Sequence, residues 1–140
     1  MNLRMTRTFA RQVAHQLKQH NGGIVLLSGP MGAGKTTLVG EIVKILCPTV
    51  LPCSPTFTVI NQYAGNKFHA ELDRLWETEM ITNKADPQKI NQIMESTGLL
   101  DLCVDGNYVF IEWPNGLRLP NAIKITINIK EDGNREFIID

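Results

Sequence analysis

The stretch Ile24-Val25-Leu26-Leu27-Ser28-Gly29-Pro30-Met31-Gly32-Ala33-Gly34-Lys35-Thr36 decides how this chain is read. It joins an apolar run of strand length to G-x-x-x-x-G-K-T, and Leu38, Val39, Ile42, Val43, Ile45 and Leu46 then recur at helical spacing. Strand, glycine loop and helix arrive in the order that a phosphate cradle requires. Glycines let the backbone curl close to a polyphosphate, so that loop N–H groups and the helix N-terminus point at anionic oxygens. In such a loop Lys35 reaches the β- and γ-phosphates and Thr36 offers its hydroxyl to Mg²⁺. The loop positions Gly29, Gly32, Ala33 and Gly34 are expected to bind phosphate mainly through backbone. An ordinary glycine-rich turn before a helix would leave Lys35 without a purpose.

Outward from the loop, 140 residues with 43% hydrophobic content suit one domain spanning 1–140 with a real core. Lys plus Arg and Asp plus Glu number 14 each, which argues against holding nucleic acid by bulk charge and leaves a local basic face open. No stretch approaches the roughly 18 apolar residues of a membrane span. The N-terminus leads into a polar amphipathic segment rather than a signal peptide, so a cytoplasmic setting is expected. Cys47, Cys53 and Cys103 form no C-x-x-C pair and have no histidine cluster beside them, so neither structural zinc nor a disulfide framework is expected.

Phe9, Ala10, Val13, Ala14 and Leu17 keep one face of a first helix, with Thr6 or Thr8 as its cap and an end near Asn21-Gly22. Past Pro48, Pro52 and Pro55, residues Phe57 to Tyr63 read as a strand and Lys67 to Leu72 as its hairpin partner. Asp86-Pro87 reads as the start of a helix with Ile90, Ile93 and Met94 on one face and Gly98 past its end. Tyr108 to Ile111 is an apolar strand ending at Glu112. Ala122 to Lys130 alternates isoleucines with polar residues, Asp132-Gly133 turns, and Arg135 to Ile139 returns. The expectation is an α/β fold: a P-loop NTPase-like three-layer sandwich whose mixed sheet ends in an antiparallel hairpin.

A phosphate cradle needs a further carboxylate on a neighbouring strand end to hold the metal or its water, and Glu112 is placed for that. Thr36 and Glu112 are thus the expected metal residues. Ser54-Pro55-Thr56 occupies the loop where related proteins keep a switch hydroxyl, although such residues more commonly bond their own turn. His69, Glu71, Asp73 and Arg74 cluster at the end of the second hairpin strand, where a carboxylate can orient or deprotonate water. Taken singly, each is more often a solvated surface group. Asn83-Lys84-Ala85-Asp86 spells the guanine-reading N-K-x-D, but no buried strand precedes it, the chain has no D-x-x-G, and Asp86 already serves as a helix cap. ATP is therefore the expected nucleotide.

Together the run from Gly29 to Thr37, Ser54-Pro55-Thr56-Phe57-Thr58, His69 to Leu75 and Ile111-Glu112-Trp113-Pro114 resemble the TsaE (YjeE) family of bacterial ATPases in order and approximate spacing. The resemblance implies a small Mg²⁺-dependent ATPase supporting threonylcarbamoylation of tRNA next to the anticodon. It would act with the TsaD and TsaB proteins rather than catalyse the transfer, touching tRNA indirectly or weakly. Carried over by position, Lys35, Glu71 and Glu112 are catalytic, Thr37, Thr56 and Trp113 join the nucleotide-binding set, and Thr36 and Glu112 hold the metal. The family's H-F-D-L-Y-R-L stands here as His69-Ala70-Glu71-Leu72-Asp73-Arg74-Leu75, so Glu71 replaces an aspartate and two aromatic rings are lost. The segment from Trp76 to Phe110 is also longer than usual by about a dozen residues.

Two other classes share the loop. A small-molecule kinase needs an arginine-bearing lid, yet only Arg118 and Arg135 follow Arg74 and neither sits in a recognisable one. A nucleotide-gated binding module would use ATP only to set its shape.

Overall fold

Side-chain alternation along the strand before the glycine loop explains how the layers assemble. In a computed structural model, described over residues 3–30, 32–47, 60–64, 66–71, 95, 98–112, 119 and 121–139, that strand is β1 (Gly23–Ser28). Val25 and Leu27 face one way and Leu26 the other, and all three are buried, as the central strand of a parallel sheet requires. Around it lie β2 (Ile60–Ala64), β3 (Lys67–Glu71), β4 (Tyr108–Glu112), β5 (Ile123–Ile129) and β6 (Arg135–Ile139). The six strands run in the order β2-β3-β4-β1-β5-β6. β3, β4, β1 and β5 are mutually parallel, while β2 and β6 are antiparallel edges. The fold is α/β with a mixed sheet and a C-terminal antiparallel pair.

Helices α1 (Leu3–Gln19) and α2 (Lys35–Leu46) cover one face. Ala10, Val13, Ala14 and Leu17 of α1 and Leu38, Val39, Ile42 and Val43 of α2 pack there on Val25, Leu27, Phe110, Ile125 and Ile127. On the other face Leu26, Ile60, Ala70, Val109 and Ile111 gather around Leu99 of a short helix, α3 (Leu99–Leu102). No helix among the described residues is long and apolar enough to cross a membrane.

Two boundaries differ from the sequence expectation. α1 begins at Leu3, so neither threonine caps it: Thr6 is buried within the helix, and Thr8 Oγ1 donates to the Arg4 carbonyl one turn back, at 2.9 Å. Helical periodicity outweighs the capping signal because Thr6 falls on the apolar face. β2 runs to Ala64, with a register shift between Gln62 and Ala64 that a simple hairpin count misses. Gly98, expected past a helix end, follows helical Glu95, donates its N–H to the Glu95 carbonyl at 3.2 Å and takes a left-handed conformation (φ 75°) before α3, whose Leu99 is fully buried. The helix expected from Asp86 lies outside the described residues, as do Cys53 and the N-K-x-D segment. Cys47 and Cys103 are free and half-buried, and burial pushes the Cys103 thiol up.

Candidate phosphate-binding site

Chain direction places the glycine loop where parallel strands end. β1 runs into Gly29, and its neighbours β4 and β3 terminate alongside at Glu112 and Glu71, the crevice in which open α/β sheets hold ligands. Gly29 has no room for a side chain: a Cβ there would stand 2.6 Å from the Ile127 carbonyl oxygen of β5. Gly32 (φ 80°) and Gly34 (φ 106°) take the left-handed region that a residue with a Cβ resists. Gly34 also opens α2, whose first turn carries neither a side-chain cap nor an acid. Such a terminus directs backbone N–H groups and the positive end of the helix dipole outward, a setting for an anion.

Lys35 is 5% exposed. Its ammonium donates to the carbonyls of Gly29, at 2.6 Å, and Pro30, at 3.0 Å, so the cation lies folded inside its own loop. One residue on, Thr36 Oγ1 donates to both carboxylate oxygens of Glu112, at 2.9 and 3.1 Å. Glu112 is buried at 3% exposure, and its Oε2 also accepts from His69 Nε2, itself 1% exposed. Register explains the meeting: His69 pairs with Phe110 and Glu71 with Glu112 across β3 and β4, and residues 108, 110 and 112 face the α1 and α2 layer. His69, a solvated group when read singly from sequence, is instead a buried partner of the strand-end carboxylate.

Arg135 is the residue that sequence reasoning missed. From β6 its Nε donates to the Ala33 carbonyl and its Nη2 to the Gly32 carbonyl, each at 3.0 Å, while Nη1 donates to Gly133. A guanidinium fork thus grips the loop from 102 residues away. No local motif marks it, because the contact depends on β5 and β6 folding back beside the loop. Arg135 also lines an open cleft of about 440 Å³, shared with Arg4, Thr8, Phe9 and Phe137. Phe9 and Phe137 stack at 4.8 Å and form part of that cleft's apolar lining.

Of the expected residues, the structure brings together Gly29, Gly32, Ala33, Gly34, Lys35, Thr36 and Glu112, with Thr37 in the same first helical turn. Glu71 stands in register with Glu112 at the end of β3. Thr56, Trp113, Asp73 and Arg74 lie outside the described residues. The donor set suits a magnesium nucleotide: a glycine-lined cradle, a buried ammonium, and hydroxyl and carboxylate oxygens of the hard type that Mg²⁺ takes.

A family model described as threonylcarbamoyl adenosine biosynthesis protein TsaE matches residues 1–137. Among curated proteins, the tRNA threonylcarbamoyladenosine biosynthesis protein TsaE of Rickettsia prowazekii (strain Madrid E) is 30% identical over 134 residues, covering 93% of this chain and 84% of that protein. Its namesake in Rickettsia bellii (strain RML369-C) is 31% identical over 137 residues, with the same coverage. The TsaE protein of Nostoc sp. (strain PCC 7120) is 44% identical over 64 residues, 44% of this chain and 40% of that one. Among solved structures, Bacillus subtilis YdiB superposes with a TM-score of 0.63 at 21% identity, covering 99% of this chain and 80% of that one, a likeness of fold.

Proposed function

Because the chain belongs to the TsaE family of tRNA threonylcarbamoyladenosine biosynthesis, we propose that it is a Mg²⁺-dependent ATPase serving that modification together with TsaD and TsaB. The observation that carries the proposal is the convergence of the Lys35 ammonium and the linked Thr36, Glu112 and His69 side chains on one glycine loop.

In this reading the loop amides and the α2 N-terminus bind the phosphate chain. Lys35 exchanges the carbonyls of Gly29 and Pro30 for phosphate oxygens, a charge-assisted contact stronger than the neutral one it replaces. Thr36 and Glu112 would hold Mg²⁺, which when bound supplies positive charge against the charge developing on the transferred phosphoryl group. His69 fixes the Glu112 carboxylate, so that its oxygens face Thr36 rather than rotate freely. Glu71, at the neighbouring strand end, orients or deprotonates the attacking water, with ADP and phosphate as the products. Thr56 and Trp113 complete the nucleotide contacts by family position. The nucleoside end occupies the cleft between α1 and β6, where Phe9 and Phe137 offer apolar surface and Arg135 joins cleft to loop.

Lys35→Ala is expected to abolish nucleotide binding, and Glu112→Gln to lower turnover far more than binding. The pair is measured by calorimetric titration of ATP and by phosphate release with TsaD and TsaB present. If both variants hydrolyse ATP like the parent under those conditions, the site assignment is wrong.

A further inference from the structure

The chain's neutral balance conceals a strong segregation of charge. Residues 1–47 carry six Lys or Arg against one acid, Glu41, while the other 93 residues carry eight against thirteen. A net +5 is therefore concentrated in the segment that supplies α1, β1 and α2, and the two helices form one layer over the sheet. α1 has no acidic residue in its 17 positions. At 3.6 residues per turn, Arg4, Arg7, Arg11, His15 and Lys18 all fall within an arc of about 80° and extend over about 21 Å of helix. All five are exposed. The layer's acid, Glu41, is shared between Arg7 at 3.6 Å and Lys44 at 3.5 Å, which leaves the stripe strongly cationic.

We propose that this face of α1 is a docking surface for the phosphate backbone of RNA. Side-chain chemistry separates RNA from an acidic protein partner. A protein interface is built around buried apolar and aromatic anchors. Here the exposed apolar residues of α1 do not form an anchor within the stripe: Leu3 lies about 40° beyond its edge at Arg7 and Met5 about 80° beyond its edge at His15. The polar side chains on its His15 side are Thr8, Gln19 and Gln12. Arg, Lys, Thr and Gln are the groups that contact phosphates and fix register without reading sequence. The choice of RNA over DNA rests on membership of a tRNA-modification family, whereas the ATPase reading plays no part in it.

The test is fluorescence anisotropy of a labelled, unmodified tRNA transcript titrated with the full chain at several salt concentrations. Neutralising about four phosphates predicts a slope of log K against log salt near −3. Arg11→Gln with Lys18→Gln is expected to make that slope shallower by about 2, and Arg11→Glu with Lys18→Glu to weaken binding more than tenfold at low salt. ATP binding by the same preparations is expected to be unchanged, since neither residue touches the loop. This keeps the proposal separable from the nucleotide site. Equal affinity and slope for parent and both double variants would overturn it. So would loss of TsaD and TsaB binding in those variants with tRNA binding intact, which would make the stripe a protein contact.

Discussion

Replacing His69 by leucine tests the buried linkage beneath the loop most directly. His69 and Glu112 are 1% and 3% exposed, so water cannot substitute for a lost partner at either group. His69→Leu deprives a buried carboxylate of its ring donor, and breaking a buried pair from one side costs about 3–5 kcal/mol. That is a large part of the roughly 5–15 kcal/mol that holds an ordinary domain together. Glu112→Leu removes the carboxylate and leaves the His69 ring without that acceptor, a smaller loss of about 1–3 kcal/mol. The double variant removes both polar groups in favour of apolar side chains of similar size. It is expected to lie within about 1 kcal/mol of the parent or above it, because the desolvation of both groups disappears together. Urea unfolding at neutral pH, followed by far-ultraviolet circular dichroism, measures all four corners of the cycle. A double variant that loses the sum of the two single losses would show that the groups act independently, and the positioning role given to His69 would fail.

Four further outcomes follow from the loop, its supports and the hairpin turn. Gly29→Ala is expected to destabilise the fold by about 1–3 kcal/mol, since its Cβ would lie 2.6 Å from a backbone oxygen. Gly40→Ala, within α2 with open space around the added carbon, should stabilise by about 0.5–1 kcal/mol; paired thermal melts decide between the two signs. Arg135→Ala is expected to weaken ATP binding roughly tenfold by releasing the loop carbonyls, with Arg135→Lys recovering only part because an ammonium lacks the fork; calorimetric affinities equal to the parent would refute this. In the hairpin turn, the Asn134 backbone N–H donates to Asp132 Oδ1 at 3.0 Å and holds that carboxyl below its ordinary value. A depressed carboxyl stabilises the folded turn above its unfolded pKa, and this is lost as pH falls through the folded one. Protection of the β5 and β6 amides, taken relative to intrinsic exchange at each pH, should therefore fall at acid pH in the parent and stay flat in Asp132→Asn.

The loop, its flanking strand and its helix were legible because each rests on local spacing: an apolar run, glycines at fixed offsets, and a 3.6-residue period from Leu38 to Leu46. Tyr108 to Glu112 and the final hairpin were legible for the same reason. The start of α1 was misread because Thr6 signals a cap locally yet falls on the buried face of a helix already begun. His69 was misread because residue type alone gives an imidazole on a strand no reason to be buried. Its burial follows from pairing β3 beside β4, which sets it next to Phe110 and within reach of Glu112.

Local sequence alone established that a glycine loop opens the second helix with Lys35 and Thr36 at its head, and that Glu112 ends a buried strand. These depend on residues close along the chain, where backbone geometry links spacing to shape. The tertiary structure alone decided which distant groups complete the site. The parallel placement of β1 between β4 and β5 brings Glu112 to Thr36 across 76 residues and Arg135 to Ala33 across 102. Strand order is fixed by burial of both sheet faces at once, a condition on the whole chain that no short stretch records.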